Sequence, residues 1–170
     1  MALRLPVLLL CLGTPFALAA QDFAIDADLV GSCTEDRADL CIPAAAQTCM
    51  ETHEGGETTV GMGRCLDLAH AAWDARLNES YRDLLAQHRA QDVDLAEIGS
   101  NAPELEAPLR EMQRAWIAYR DAACTHEAAT WGGGTGSGPA YLGCLIELTA
   151  RQTLRLERYL WEGDREWMTR

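Results

Sequence analysis

Residues 113–124 read QRAWIAYRDAAC and lie at the centre of the clearest helical pattern in the chain. Seven side chains recur around them at steps of three and four: Leu105, Leu109, Met112, Trp116, Tyr119, Ala123 and His126. That spacing places all seven on one face of an α-helix. It predicts a helix from about residue 104 to about residue 129, with Trp116 and Tyr119 packed in the core.

A second long helix is predicted before this one. Its stripe comprises Met62, Leu66, Ala69, Trp73, Leu77, Tyr81, Leu84 and Leu85. The steps of three and four predict a helix from about residue 59 to about residue 89, capped by Thr58 or Thr59. Residues 90–103 are acidic and end in a run with Gly, Ser, Asn and Pro, so we expect a connection there.

A third long helix is predicted after residues 132–138, which contain five glycines and cannot hold a helix. Its stripe comprises Leu142, Leu145, Thr149, Gln152, Leu156 and Tyr159. The pattern fades after Leu160 into a charged tail. Because the glycine-rich loop is short, we expect the helices on its two sides to be antiparallel neighbours.

The first twenty residues have the features of a secretory signal peptide. Arg4 provides a short positive region, and the run from Leu5 to Leu12 is apolar but too short to span a bilayer. Ala17-Leu18-Ala19 is a small-x-small cleavage site, so we expect cleavage after Ala19 or Ala20. The sequence therefore predicts a periplasmic or secreted protein.

Export makes the cysteines candidates for disulfides. Cys11 leaves with the signal peptide, and six remain: Cys33, Cys41, Cys49, Cys65, Cys124 and Cys144. An even number in an exported chain indicates disulfides, although six cysteines allow many connectivities. Antiparallel helices bring Cys124 and Cys144 together, so we predict that bridge. The other four pair most simply as Cys33–Cys41 and Cys49–Cys65.

Residues 21–58 form the least regular part of the chain. Asp26 to Cys41 is expected to be one short helix, which Pro43 breaks or restarts. The predicted fold is all-α: an antiparallel bundle of three long helices with short N-terminal helical segments, stapled by disulfides. The predicted organisation is a signal peptide (1–20), a cysteine-containing segment (21–58) and a helical domain (59–162).

The chain is strongly acidic. It has 14 basic residues, all arginine, against 26 acidic ones, for a formal net charge of −12 at pH 7. Loss of Arg4 with the signal peptide makes the mature chain one unit more negative. Such a surface repels nucleic acid and anionic lipid headgroups and attracts basic partners. We therefore predict no nucleic-acid binding, and no later segment is long and apolar enough to predict a membrane span.

Catalysis, metals and cofactors are not indicated by the sequence. No Cys-x-x-Cys occurs, and the four histidines lack ligand spacing. No Gly-x-Ser-x-Gly occurs either, and the pairs His126–Glu127 and His70–Asp74 lack the other members of a catalytic constellation. The sequence therefore predicts no catalytic residue, no metal and no cofactor, and a protein that is not an enzyme.

A series of short motifs runs through the predicted helices. In order they are Cys49, Cys65, Leu77-Asn78-x-x-Tyr81, Gln113-Arg114-x-Trp116, Arg120-Asp121-x-x-Cys124, Cys144 and Leu148-Thr149-Ala150-Arg151. Together, from about Cys49 to about Tyr159, they resemble the LprI-like lysozyme-inhibitor domain family. The resemblance implies a helical periplasmic domain that acts as a lysozyme inhibitor. Cys33 and Cys41 lie outside it.

An inhibitor of this type would bind and occlude rather than catalyse. Lysozymes of the common c-type are strongly basic, so we expect such an enzyme, or another cationic envelope protein, as the partner. The glycine-rich loop is the candidate contact because it is thin, carries hydroxyls and exposes backbone N–H donors. Its candidate residues are Trp131, Gly133, Gly134, Thr135 and Ser137. The alternative is a flexible connection with Trp131 folded onto the bundle.

The polar and aromatic residues of the motifs are interpreted as structural rather than functional. They are Asn78, Tyr81, Gln113, Trp116, Arg120, Asp121, Thr149 and Arg151. We expect Arg120 to reach an acceptor on a neighbouring helix and Asn78 to bond across the bundle, with Thr149 in the same network.

A second function stays open from the sequence alone. The chain is also compatible with a module that binds a small molecule or responds to envelope stress. Such a module would use a pocket between helices near Trp73, Trp116 and Tyr141. A ligand held in that pocket would remain bound through purification, whereas an inhibitor surface would carry none.

Overall fold

The computed structural model describes residues 22–167, with side chains described as far as residue 160. The short helices are α1 (Ala27–Gly31), a 3₁₀ turn (Glu35–Arg37), α2 (Ala38–Cys41) and α3 (Ala44–Thr52). The long helices are α4 (Thr59–Glu97), α5 (Glu106–Ala129) and α6 (Ser137–Trp167). All regular structure in this part of the chain is helical, which confirms the predicted all-α fold. The predicted signal peptide lies outside the described residues.

Helix α6 is the centre of the bundle. It packs along α4 on one side and along α5 on the other, whereas α4 and α5 touch each other little. Its buried residues therefore cover more than the one predicted stripe, and they include Ile146, Ala150 and Leu154 as well as Gln152 and Leu156. None of the described helices is long and apolar enough to cross a bilayer.

The N-terminal helices complete one half of the core. Trp73 of α4 is fully buried and packs in one cluster with Val30, Ile42 and Ile146. A second cluster, centred on Leu84 and its neighbours on α5 and α6, fills the other half of the bundle. The N-terminal segment is therefore part of the same packed structure as the long helices.

Arg76 of α4 joins the N-terminal segment to α6. Its guanidinium donates to the two carboxylate oxygens of Glu157 at 2.8 and 2.7 Å, and to the carbonyls of Val30 and Cys33. The hydroxyl of Ser80 donates to the same carboxylate at 3.1 Å. The side chains of Arg76 and Glu157 are only 19% and 22% exposed, so water replaces these bonds poorly. No motif of the sequence predicted this cluster.

The prediction of one helix from Asp26 to Cys41 is wrong. In a continuous helix the Cα atoms of Cys33 and Cys41 would lie about 12 Å apart. The Cys33–Cys41 disulfide holds them 5.4 Å apart. The chain therefore bends between them and forms α1, the 3₁₀ turn and α2 as separate pieces.

Two helix ends also differ from the prediction. Helix α4 continues to Glu97 through residues predicted as a connection, and α6 continues to Trp167 beyond the predicted end at Leu160. In the extended part of α4, the carboxylate of Asp92 accepts the backbone N–H groups of Leu105 and Glu106 at 2.8 and 2.9 Å. The acidic side chain thus caps the positive N-terminus of α5 while its own residue stays helical.

The structure joins the six cysteines in the three predicted pairs. Cys49–Cys65 links α3 to α4, with Cα atoms 5.6 Å apart. Cys124–Cys144 links α5 to α6, with Cα atoms 5.4 Å apart. Together with Cys33–Cys41, these bridges link neighbouring elements along the chain.

Glu106 holds the corner between α4 and α5. Its carboxylate accepts from Arg89 of α4 at 2.9 and 3.1 Å and from Arg110 of α5 at 2.7 and 2.9 Å. The hydrogen bonds from Arg89 and then from Arg110 lower the pKa of Glu106 from 4.5 to about 2. The ionised carboxylate is therefore favoured by the folded state.

Replacement of Arg76 by alanine is expected to destabilise the protein. It leaves the Glu157 carboxylate and two backbone carbonyls without their donor, which we expect to cost about 2–3 kcal/mol of unfolding free energy. Denaturant unfolding of the oxidised protein, followed by circular dichroism, measures the change. The exposed Arg114→Ala is the matched control and is expected to stay within about 0.5 kcal/mol of wild type. Equal losses in the two variants would contradict the role of Arg76.

Glu106→Gln is expected to lose a pH-dependent part of the stability. Because the folded-state pKa of Glu106 is depressed, its contribution is present above about pH 4.5 and disappears as the pH falls towards about 2. Thermal unfolding of both proteins across this range should show a difference at pH 6 that closes at pH 2. A difference that stays constant with pH would refute the assignment, and Glu111→Gln on the same helix is the control.

Candidate functional site

The Cys124–Cys144 bridge fixes the base of the hairpin formed by α5 and α6. Cys124 is fully buried, and each cysteine lies within about two helical turns of the connecting loop. The bridge limits how far the two helix ends separate. It therefore holds the glycine-rich loop in one place at the end of the bundle.

The loop itself, residues 130–136, is a succession of tight turns. Gly132 and Gly133 have φ angles of 57° and 80°, a left-handed conformation that other residues rarely adopt. The Gly132 N–H donates to the carbonyl of Ala129 at 3.1 Å, and the Gly134 N–H donates to the carbonyl of Trp131 at 2.9 Å. The expectation that the loop leaves its backbone donors free is therefore wrong for these two glycines. Thr135 is exposed at the surface.

Trp131 lies against its own loop with half of its surface free. It is 53% exposed. A Cβ atom placed on Gly136 would come within 2.3 Å of Cζ3 of the indole, so only glycine allows this close approach. The ring is therefore supported on one side and open to solvent on the other. Ser137, the last of the predicted contact residues, begins α6 and is partly buried.

A groove of about 610 Å³ runs between α5 and α6 and ends beside this loop. Its lining includes Ala123, Ala140 and Gly143 together with Tyr119, Glu127 and Glu147. Small side chains at the centre leave an open channel, and longer polar or aromatic ones stand at its ends. No motif of the sequence predicted a site at this groove.

The prediction that Tyr119 packs in the core is wrong. Tyr119 is 61% exposed on the groove, and His126 is also exposed. The buried residues of α5 are Leu109, Gln113 and Cys124. Because α5 packs closely on only one long helix, its buried face is narrower than the stripe of seven, and the remaining part of the stripe lines the groove. The spacing of residues 119, 123 and 126 places them on one face of the helix. It does not indicate how deeply that face is buried.

Arg120 is the centre of the polar cluster predicted from the motifs. Its guanidinium lies 5.0 Å from the ring centre of Trp116 and pairs with Asp121 at 2.8 Å. It also reaches Asp74 of α4 at 4.0 Å, across the side of the bundle where α4 and α5 otherwise touch little. The side chain is 16% exposed. Arg120 therefore bridges the two helices, as expected.

Two other members of the predicted network behave differently. Asn78 donates to Asp74 at 2.9 Å within α4, so the expected bond across the bundle is wrong. Thr149 is fully buried, but its hydroxyl has no partner among the described residues, so it does not belong to the network. The polar bond that does cross between buried helix faces joins α6 to α5, where the Gln152 amide donates to Gln113 at 3.0 Å.

Two further residues that the sequence predicts to be structural, Arg151 and Tyr81, lie apart from Arg120. Arg151 pairs with Glu147 on its own helix and with Asp39 of α2 at 2.7 Å, so it ties α2 to the edge of the groove. Tyr81 packs against the second core cluster. The residues predicted to be structural therefore lie at several separate places in the bundle.

His70 lies beside the Arg120 cluster. Burial lowers its pKa, and Asp74 opposes that shift while Arg120 adds to it. Its Nε2 atom is buried without a hydrogen-bond partner in the described structure. No three His, Cys, Asp or Glu side chains among residues 22–160 are grouped to hold a metal ion. His70 and Asp74 thus belong to a helix-bridging cluster.

The predicted pocket near Trp73, Trp116 and Tyr141 cannot include Trp73 in an open lining. Trp73 is fully buried inside the first core cluster, where no opening reaches it. Trp116 instead supports Arg120 from the side of the second cluster. Because Trp73 and Trp116 pack against different core clusters, they lie in different parts of the bundle.

Comparison with known proteins identifies relatives of this chain. A family model described as lysozyme inhibitor LprI matches residues 49–156. A protein of Rhizobium meliloti (strain 1021), described as uncharacterized, is 35% identical over 119 residues, which cover 69% of this chain and 85% of that protein. No solved structure matches the chain. The matched family range includes the loop, the groove and the Arg120 cluster, and it begins after α1 and α2.

Gly136→Ala is expected to displace the indole of Trp131. The added methyl group would overlap the ring, so the Nε1–H signal of Trp131 in a ¹H–¹⁵N spectrum should shift while the rest of the fold is retained. Gly138→Ala, where a Cβ atom meets open space, is the matched control and should leave the signal in place. An unchanged Trp131 signal in Gly136→Ala would refute the contact.

Proposed function

Because the chain belongs to the LprI lysozyme-inhibitor family, we propose that it is an exported binding protein that inhibits a lysozyme by covering its cleft. The contact is assigned to the end of the α5–α6 hairpin, where Trp131, Gly133, Gly134, Thr135 and Ser137 lie. The protein itself makes and breaks no bond in this proposal.

Occlusion suits the chemistry of the target. A lysozyme hydrolyses its polysaccharide with two carboxyl groups that face each other across a cleft. A narrow, ordered projection that enters such a cleft excludes the substrate without any catalytic group. The glycine-rich loop has this form, because its glycines carry no side chains that widen it.

The observation that carries the proposal is the state of Trp131. It is half exposed, supported by Gly136, and mounted on a loop whose base is closed by the Cys124–Cys144 bridge. Tryptophan is enriched among the residues that dominate binding energy at interfaces. Because the loop is already ordered, less conformational entropy is lost on binding.

The charge of the chain supports a basic partner. A net charge of −12 steers a cationic protein towards this one and raises the association rate more than the final affinity. We therefore propose a basic c-type lysozyme, or another cationic protein of the cell envelope, as the partner. Salt should slow association, since the steering depends on unscreened charges.

Export places the protein where such a partner is met. The predicted signal peptide over residues 1–20 leads to the periplasm or the exterior, and three disulfides are typical of an oxidising compartment. Both features support a periplasmic or secreted location.

Trp131→Ala is expected to weaken binding and inhibition of a basic c-type lysozyme by the oxidised mature protein. Loss of the anchor should raise Kd roughly thirtyfold, or about 2 kcal/mol. Thr135→Arg adds bulk and a repelling charge in the loop and is expected to raise Kd about tenfold. Calorimetric titration and a cell-wall lysis assay, at low and at physiological salt, measure both effects.

Tyr159→Ala is the matched control for these variants. Tyr159 is an exposed aromatic residue of α6 far along the helix from the loop, so its loss should change Kd less than about twofold. Equal inhibition by wild type, Trp131→Ala and Thr135→Arg would support the proposed function but contradict the assignment of the contact to the loop. Binding that disappears at physiological salt without any inhibition would defeat the proposed function.

A further inference from the structure

The groove between α5 and α6 has an apolar centre and charged ends. Ala123, Ala140 and Gly143 line its middle, and a Cβ atom on Gly143 would meet open space. Along α5 it extends from Tyr119 to Glu127, which is about 12 Å for two helical turns. The groove is therefore long enough for an unbranched side chain to lie along it.

The two carboxylates on the groove, those of Glu127 and Glu147, differ in their ion pairs. Glu147 pairs with Arg151, which is also held by Asp39 at 2.7 Å. Glu127 is exposed and makes no ion pair with any residue that the structure describes. It stands one turn before the loop that carries Trp131. The free carboxylate thus lies at the end of the groove nearest the proposed contact.

We infer that this groove is a second contact of the inhibitor surface and receives an arginine side chain of the basic partner. The inference rests on the proposed function, since it places the groove beside the loop in the same interface. The aliphatic part of the arginine would lie on the small residues at the centre. Its guanidinium would pair with Glu127.

Charge complementarity selects this occupant over the others. A second copy of this chain carries the same large negative charge and is repelled. An apolar segment would bury Glu127 without a partner, which is unfavourable. Arginine combines an apolar stem, which can lie on the small residues of the groove, with a planar donor that binds carboxylates through two hydrogen bonds.

Two variants test the groove against matched controls in titrations with a basic c-type lysozyme. Glu127→Gln is expected to raise Kd about tenfold, whereas Glu111→Gln removes the same charge from α5 outside the groove and should stay within about twofold. Gly143→Leu fills the channel and should weaken binding at least as much as Glu127→Gln. Ala115→Leu adds the same side chain on the exposed face of α5 and should not.

A second measurement separates the groove from the lysozyme. N-acetyl-arginine amide is titrated into the labelled protein, and the amide signals of Gly143 and Ala123 are followed by NMR. They are expected to shift in wild type and not in Glu127→Gln, and N-acetyl-glutamine amide is the uncharged control ligand.

The outcomes distinguish the arginine-binding groove from the proposed inhibition of a lysozyme. Equal Kd values for Glu127→Gln and Glu111→Gln, with no arginine-dependent shifts, would overturn the groove while inhibition that depends on Trp131 keeps the proposed function. Arginine-dependent shifts without lysozyme binding would uphold arginine recognition by the groove and defeat its place in a lysozyme interface.

Discussion

The ion pair between Arg76 and Glu157 is the interaction on which the arrangement of the helices depends. It joins the two parallel helices of the bundle, and through the carbonyls of Val30 and Cys33 it attaches the N-terminal segment to both. A partly buried guanidinium is costly unless its donors are used, and here two separate parts of the chain supply the acceptors. The packing around Trp73 includes residues of both the N-terminal segment and α6.

Because α4 and the N-terminal segment cover one side of α6, α5 packs on the opposite side, where the proposed binding surface lies. Helix α5 is fixed at one end by Asp92 and Glu106, and at the other by the Cys124–Cys144 bridge. Between these ends it packs closely on α6 only, so the outer part of its apolar stripe remains open. Rigid ends and a partly uncovered face are the conditions under which a helical hairpin presents a preformed groove and loop.

The sequence predicted the helices well because each buried face repeats at the helical period. It located the stripes of α4 and α6, and it paired Cys124 with Cys144 from the hairpin alone. It failed for Tyr119, which continues the same spacing but lies outside the core. The acidic segment around Asp92 was also predicted to be a connection, whereas it is helical. The sequence does not indicate that the carboxylate of Asp92 accepts hydrogen bonds from the start of another helix.

By itself the sequence determined the all-helical composition, the acidity, the export signal as an expectation, the family and the cysteines available for bridging. The three-dimensional arrangement added which helix is central, the support of Trp131 by Gly136, and the groove with Glu127 at its edge. The physical reason is that periodicity describes one helix at a time. How much of each face is covered depends on the neighbours that pack on it, and those neighbours are distant in the chain.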